Sequence, residues 1–161
     1  MLRTHGATKA LRWKLENGGA VGEDELTPTS IPGARLRLCI YDSAASTQPL
    51  VAAGVASADG CGAKLCWRAV GSPAVAAGLR YRNKAGAPDG ITDVRLRTRR
   101  GELTALVRAH GPALAMPPLG VGVPVRAQLV AGDPARPVCW QSVFATTLRN
   151  DATMVKATQQ P

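Results

Sequence analysis

Cysteine, histidine and arginine are the side chains here with the types and spacing to do chemistry. Four cysteines occur, Cys39, Cys61, Cys66 and Cys139. An even count fits two disulfides, and four cysteines allow three pairings. The short loop Cys61-Gly-Ala-Lys-Leu-Cys66 can close on itself, and Cys39 can reach either end of it from a neighbouring strand. Packed, reduced thiols are the competing reading, since free cysteine is often buried. A zinc site ranks below two disulfides, or one disulfide plus two buried thiols. Cys61 and Cys66 are spaced more widely than most zinc-binding pairs, and Cys39 and Cys139 do not form a matching pair in sequence.

Two histidines limit hydrolytic chemistry. His5 falls in a polar N-terminal stretch and His110 in a turn, and no Gly-x-Ser-x-Gly elbow is present. Asp89 and Asp93 lack the spacing of a calcium loop. Glu23, Asp24 and Glu25 read as a solvated acidic patch. Neither Gly18-Gly19 nor Gly120-Val121-Gly122 has the context of a phosphate-cradling loop. The expectation is a protein that is not an enzyme and uses no metal or cofactor.

Arginine is the remaining candidate. The formal net charge is +9, which favours anionic partners such as acidic polysaccharide, nucleic acid or anionic lipid. Arg80, Arg82, Arg95 and Arg97 fall on segments that can be adjacent strands, and they form the candidate binding face. The opposing reading is a merely soluble surface. The basic residues are scattered along the chain, and Arg99-Arg100 is the only adjacent pair. Tyr81 alternates with Arg80 and Arg82, so it faces the other way, into the core. Trp13, Trp67 and Trp140 likewise read as core residues first and sugar platforms second.

The elements that must position these residues are strands. Lys9 to Leu15 alternates, with Leu11, Trp13 and Leu15 on one face. Ala34 to Asp42 alternates, with Leu36, Leu38 and Ile40 inward. Ile91 to Thr98 sets Val94 and Leu96 against Asp93, Arg95 and Arg97. Pro88-Asp89-Gly90 is a tight turn, and Leu103 to Arg108 pairs back on the strand before it. Residues 111–124 are too rich in proline for a central strand and read as a crossover between sheets. About nine short strands and no convincing helix predict an antiparallel β-sandwich, with a β-barrel as the alternative. Residues 1–8 are expected to be a flexible arm, 9–145 the sandwich domain and 146–161 a tail. No run of about 20 apolar residues predicts a membrane span.

Leu38-Cys39-Ile40-Tyr41-Asp42, Cys61-Gly62-Ala63-Lys64-Leu65-Cys66-Trp67, Tyr81-Arg82-Asn83-Lys84, Pro88-Asp89-Gly90-Ile91 and Cys139-Trp140 occur in that order. In these motifs the chain resembles a domain family of predicted secreted proteins from environmental Gram-negative bacteria, with the pattern LCxYD, CGxKxCW, YKDKxxxPDGI and CWEA. The resemblance runs from about residue 10 to the end. It departs at Asn83, where the family has Asp, and at Gln141, where it has an acidic residue. The first change weakens any cation site at that position. The family's function is not established, so the resemblance implies fold class and export rather than an activity.

Export predicts an extracellular, cell-surface or periplasmic location, where disulfides persist. Met1 to Leu11 shows no signal peptide, so this reading expects a fragment, a processed form or a mis-called start. The functional expectation is a non-catalytic structural or interaction module. Its partners would be surface polysaccharide or other chains of a larger exported protein. The alternative is a binding module for an anionic polymer, acidic polysaccharide before nucleic acid.

Overall fold

The computed structural model describes residues 1–21, 35–43, 47–72, 75–133 and 135–158. The acidic patch at Glu23 to Glu25 lies outside them. In chain order the strands are β1 (Leu2–His5), β2 (Thr8–Leu15), β3 (Arg35–Tyr41), β4 (Val51–Ala56), β5 (Gly60–Cys61), β6 (Lys64–Leu65) and β7 (Trp67–Ser72). They continue with β8 (Val75–Arg82), β9 (Ile91–Arg99), β10 (Glu102–His110), β11 (Val125–Asp133), β12 (Arg136–Phe144), β13 (Arg149–Asn150) and β14 (Met154–Lys156). One sheet has the order β13-β14-β1-β2-β10-β9-β8-β7. A second has the order β12-β11-β3-β4, and β5 and β6 form a small ladder of their own. The pairings are antiparallel, and the two large sheets pack as a sandwich that does not close into a barrel.

Period-two alternation builds the core. Leu36, Leu38 and Ile40 of β3 face Trp13, Val94, Leu96 and Val107 from the larger sheet, all almost wholly excluded from solvent. Each such aliphatic side chain contributes about 1.5–3 kcal/mol by leaving water. The β9–β10 hairpin turns through Arg100 and Gly101, both at positive φ, which matches the right-handed twist of the strands it joins. Residues 111–124 cross from β10 of one sheet to β11 of the other and bury Leu114, Leu119 and Val121. Gly90, at φ +82°, lies against this crossover, and a Cβ there would meet Leu114 Cβ at 2.7 Å.

Two expectations are corrected. Residues 1–8 are not a free arm, because Leu2–His5 is a strand paired on both sides, to β2 and β14. Gly6, at φ +56°, makes the turn into β2, and Leu2 goes into the core at 3 % exposure. Nor do residues 146–161 form a tail throughout. Asp151 Oδ1 accepts bonds from the main-chain N–H groups of Thr153 (2.8 Å) and Met154 (2.9 Å), an Asx turn that folds β13 onto β14.

One flank of the sandwich is closed by polar ties between the sheets. The Trp67 indole N–H donates to Ala56 O at 2.9 Å. Asp59 Oδ2 accepts from Ala56 N and Asp89 Oδ2 from Gly54 N, each at 3.0 Å. These carboxylates occupy the free edge of β4, which would otherwise expose unpaired amides. Tyr81 is fully buried here, edge-on to Trp67 with ring centroids 5.2 Å apart.

Candidate anion-binding face

Strand order gathers arginines that are far apart in sequence. Arg80 of β8 lies directly opposite Arg95 of β9 on one side and Arg68 of β7 on the other. One rung along, Arg82, Asp93, Arg108 and Arg12 follow one another across β8, β9, β10 and β2. Inward neighbours such as Trp13, Leu79, Tyr81, Val94, Leu96 and Val107 are buried. The pleat therefore turns all these basic side chains to the outer face of the larger sheet. Lys14 joins them from β2, and Arg97 from β9, opposite Gly78.

Like charges directly opposite on a sheet repel, and one carboxylate offsets this. Asp93, 8 % exposed, accepts from Arg80 Nε through Oδ1 and from Arg95 Nε through Oδ2, both at 3.0 Å. The two guanidinium groups are thereby held in fixed orientations beside each other. A carboxylate bound to two arginines is poorly placed to act as a base, whereas a rigid guanidinium pair suits recognition of carboxylate, sulfate or phosphate.

Two shallow concavities share this pair. One of about 400 Å³ is lined by Arg80, Arg82, Lys84, Thr92, Asp93, Arg95, Arg108 and His110. The other, of about 240 Å³, is lined by Arg68, Ala69, Val70, Leu79, Arg80, Arg95 and Arg97. The structure thus brings Arg80, Arg82, Arg95 and Arg97 together. It adds Arg68, Arg108, Arg12, Lys14 and Lys84, which the sequence reading missed. The pattern that places Arg68 outward, next to an inward Trp67, is visible in the sequence, but its neighbours are not.

All six aromatic residues of the chain lie elsewhere. Trp13, Trp67, Tyr81 and Trp140 are buried, Phe144 is half-buried against the core, and Tyr41 stacks under Arg126 at 5.0 Å on the other sheet. The cationic face therefore has no Phe, Tyr or Trp on which unpaired bases could stack.

The cysteines divide. Cys61 and Cys66 form a disulfide with their Cα atoms 5.0 Å apart. Cys39, buried, and Cys139, exposed, are free thiols. The two-disulfide arrangement is excluded by topology. β11 runs between β3 and β12, which puts Cys39 and Cys139 two strand spacings apart, about 10 Å, beyond the ~7 Å limit for a bridge. Burial raises the Cys139 thiol pKa above its ordinary value, and Cys39 adds to this.

Among the described residues no group of three or more His, Cys, Asp or Glu is placed to hold a metal ion, and no helix is long and apolar enough to cross a membrane. Fold and site together define an all-β sandwich with a cationic outer face and, among the described residues, no obvious catalytic machinery. No family model, curated protein or solved structure matches the chain.

Proposed function

We propose that this domain is a non-catalytic interaction module that works outside the cytoplasm. It holds an anionic polymer, acidic polysaccharide before nucleic acid, against the outer face of its larger sheet. The observation that carries the reading is the convergence of arginines from β2, β7, β8, β9 and β10 around a single buried carboxylate, Asp93. Polysaccharide ranks first because the face offers charge and fixed hydrogen-bond donors but no Phe, Tyr or Trp for a base to stack on. The Cys61–Cys66 disulfide and the resemblance to predicted secreted proteins support an oxidising compartment. A purely structural role among other chains of a larger exported protein is the reading it competes with.

Retention on a uronic-acid polysaccharide matrix over a salt gradient tests this. The variant Arg82→Glu/Arg97→Glu leaves the Asp93 ion pairs intact and changes the net charge by as much as the control does. It should elute at much lower salt than the wild type, while reversing Arg35 and Arg37 on the other sheet should shift elution far less. Equal shifts from the two variants would mean that net charge alone retains the protein, and the proposed face would be wrong. Tighter retention on single-stranded DNA of matched charge would reverse the order of ligands.

A further inference from the structure

One carboxylate decides where anions can settle on the cationic face. Among the described residues, Asp93 is the one acidic side chain that lines the concavity of about 400 Å³. It stands on β9, the middle of the three strands β8, β9 and β10 that carry the concavity. Its two oxygens accept from Arg80 Nε and Arg95 Nε, so the midpoint holds a negative charge between two positive ones.

Positive charge flanks this midpoint on both sides. Arg82 of β8 and Arg108 of β10 are the direct cross-strand partners of Asp93, and both are exposed. Neighbouring strands lie about 4.8 Å apart, which sets the Cα atoms of Arg82 and Arg108 about 10 Å apart with Asp93 between them. An anion directly over Asp93 meets another carboxylate. One displaced toward β8 meets Arg82, with Arg80 two residues before it on the same face. One displaced toward β10 meets Arg108, with Arg95 diagonally across from it. Register thus makes two anion positions of one concavity, each served by an exposed arginine and by one of the pair that Asp93 holds.

We propose that the face is built for an acidic polysaccharide that turns one carboxylate per disaccharide toward the protein. The chain lies across β8, β9 and β10, with two successive carboxylates astride Asp93. This rests on the polysaccharide reading of the face and adds the charge repeat and the direction of the ligand. The separation of Arg82 from Arg108 is close to the length of a disaccharide. Phosphates along a nucleic-acid strand follow one another at about 3.4 Å of duplex axis, so any two that reached both positions would put others over Asp93. For the same reason a carboxylate on every sugar gains little, because the extra groups fall over Asp93 or point away from the sheet.

Titration of the isotope-labelled protein, followed by its amide resonances, tests this. The probes are hyaluronan oligosaccharides, with one uronate per disaccharide, and tetragalacturonate, with one on every sugar. The hyaluronan tetrasaccharide should bind about tenfold more tightly than the disaccharide, because its second carboxylate binds intramolecularly. Tetragalacturonate has twice the charge, yet should bind no more than about twofold more tightly than the hyaluronan tetrasaccharide, whereas counterion release alone would favour it steeply. Arg82→Gln and Arg108→Gln should each bring the tetrasaccharide down to the affinity of the disaccharide. Arg37→Gln, on the other sheet, should leave it unchanged. A preference of about tenfold or more for tetragalacturonate, or a tetrasaccharide advantage that survives in Arg82→Gln or Arg108→Gln, would overturn the charge repeat and leave the polysaccharide reading standing. No saturable binding of either tetrasaccharide would overturn that reading and the repeat with it.

Discussion

Trp67 and Trp13 are buried to nearly the same degree, at 5 % and 4 % exposure, on the same inner face of the same sheet. Their polar atoms fare differently. The Trp67 indole donates to Ala56 O across the sandwich, while the Trp13 indole N–H has no partner. The difference extends to the flanks around them. Beside Trp67 the two sheets are tied by Asp59, Asp89, Tyr81 and the Cys61–Cys66 loop. Beside Trp13 a concavity of about 370 Å³ opens instead, lined by Arg12, Glu16 and a half-buried Phe144. A buried donor without an acceptor costs about 1–3 kcal/mol, so one flank is complete and the other carries an unmet demand. The closed flank supports β7, β8 and β9, which carry the Arg80–Asp93–Arg95 group, while the open one shares Arg12 and Lys14 with the edge of the cationic face.

Conservative replacement should separate the two most strongly. Trp67→Phe removes ring volume and strands Ala56 O, for a combined loss of about 3 kcal/mol. Trp13→Phe removes similar volume but also deletes an unsatisfied donor, and should cost about 1 kcal/mol or less. Urea unfolding of the two variants checks this, and equal losses would break the comparison. Opening the disulfide comes next. Cys61→Ser/Cys66→Ser releases a short loop, worth about 2 kcal/mol by chain entropy. The loss should fall on the closed flank. Hydrogen exchange should quicken at Cys66 and Arg82, whose amides bond to Asp59 O and Cys66 O, and stay unchanged at Arg12, next to Trp13.

Much of the frame was legible because alternation is local. Leu36, Leu38 and Ile40 face inward, Arg95 and Arg97 outward, and residues 111–124 cross between the sheets, all as period two and proline content predict. The assembly of the cationic face was not legible in full. Arg68, Arg108 and Arg12 are each the single arginine of their strands, and only the order β2-β10-β9-β8-β7 makes them neighbours. Scatter along the chain argued for a merely soluble surface, yet scattered outward positions are what a sheet face consists of. β1 was missed for a similar reason. Its inward Leu2 pairs with Val155 at the other end of the chain, and four residues carry too little pattern of their own.

Tyr81 offers the smallest and most specific probe of the closed flank. Its hydroxyl lies 3.4 Å from Asp59 Oδ2 and 3.3 Å from Asn83 Nδ2. Burial raises its pKa above the ordinary tyrosine value, and the Asn83 amide opposes this while Asp59 adds to it. The folded protein therefore holds this proton more tightly than the unfolded chain does. By linkage, the associated stability is present in full below the unfolded tyrosine pKa, about 10, and is lost as the pH rises through the raised value. Tyr81→Phe should lower stability by about 1 kcal/mol near neutrality and flatten the alkaline limb of the stability profile. The part of that limb due to Tyr41, whose pKa burial also raises, should remain. In the wild type the Trp67 indole resonance should move along this limb, because a phenolate beside Asp59 loosens the tie between the sheets. The Trp13 indole should not move with it. If both move together, the two flanks open as one unit, and the unmet demand at Trp13 belongs to the whole sandwich rather than to one side of it.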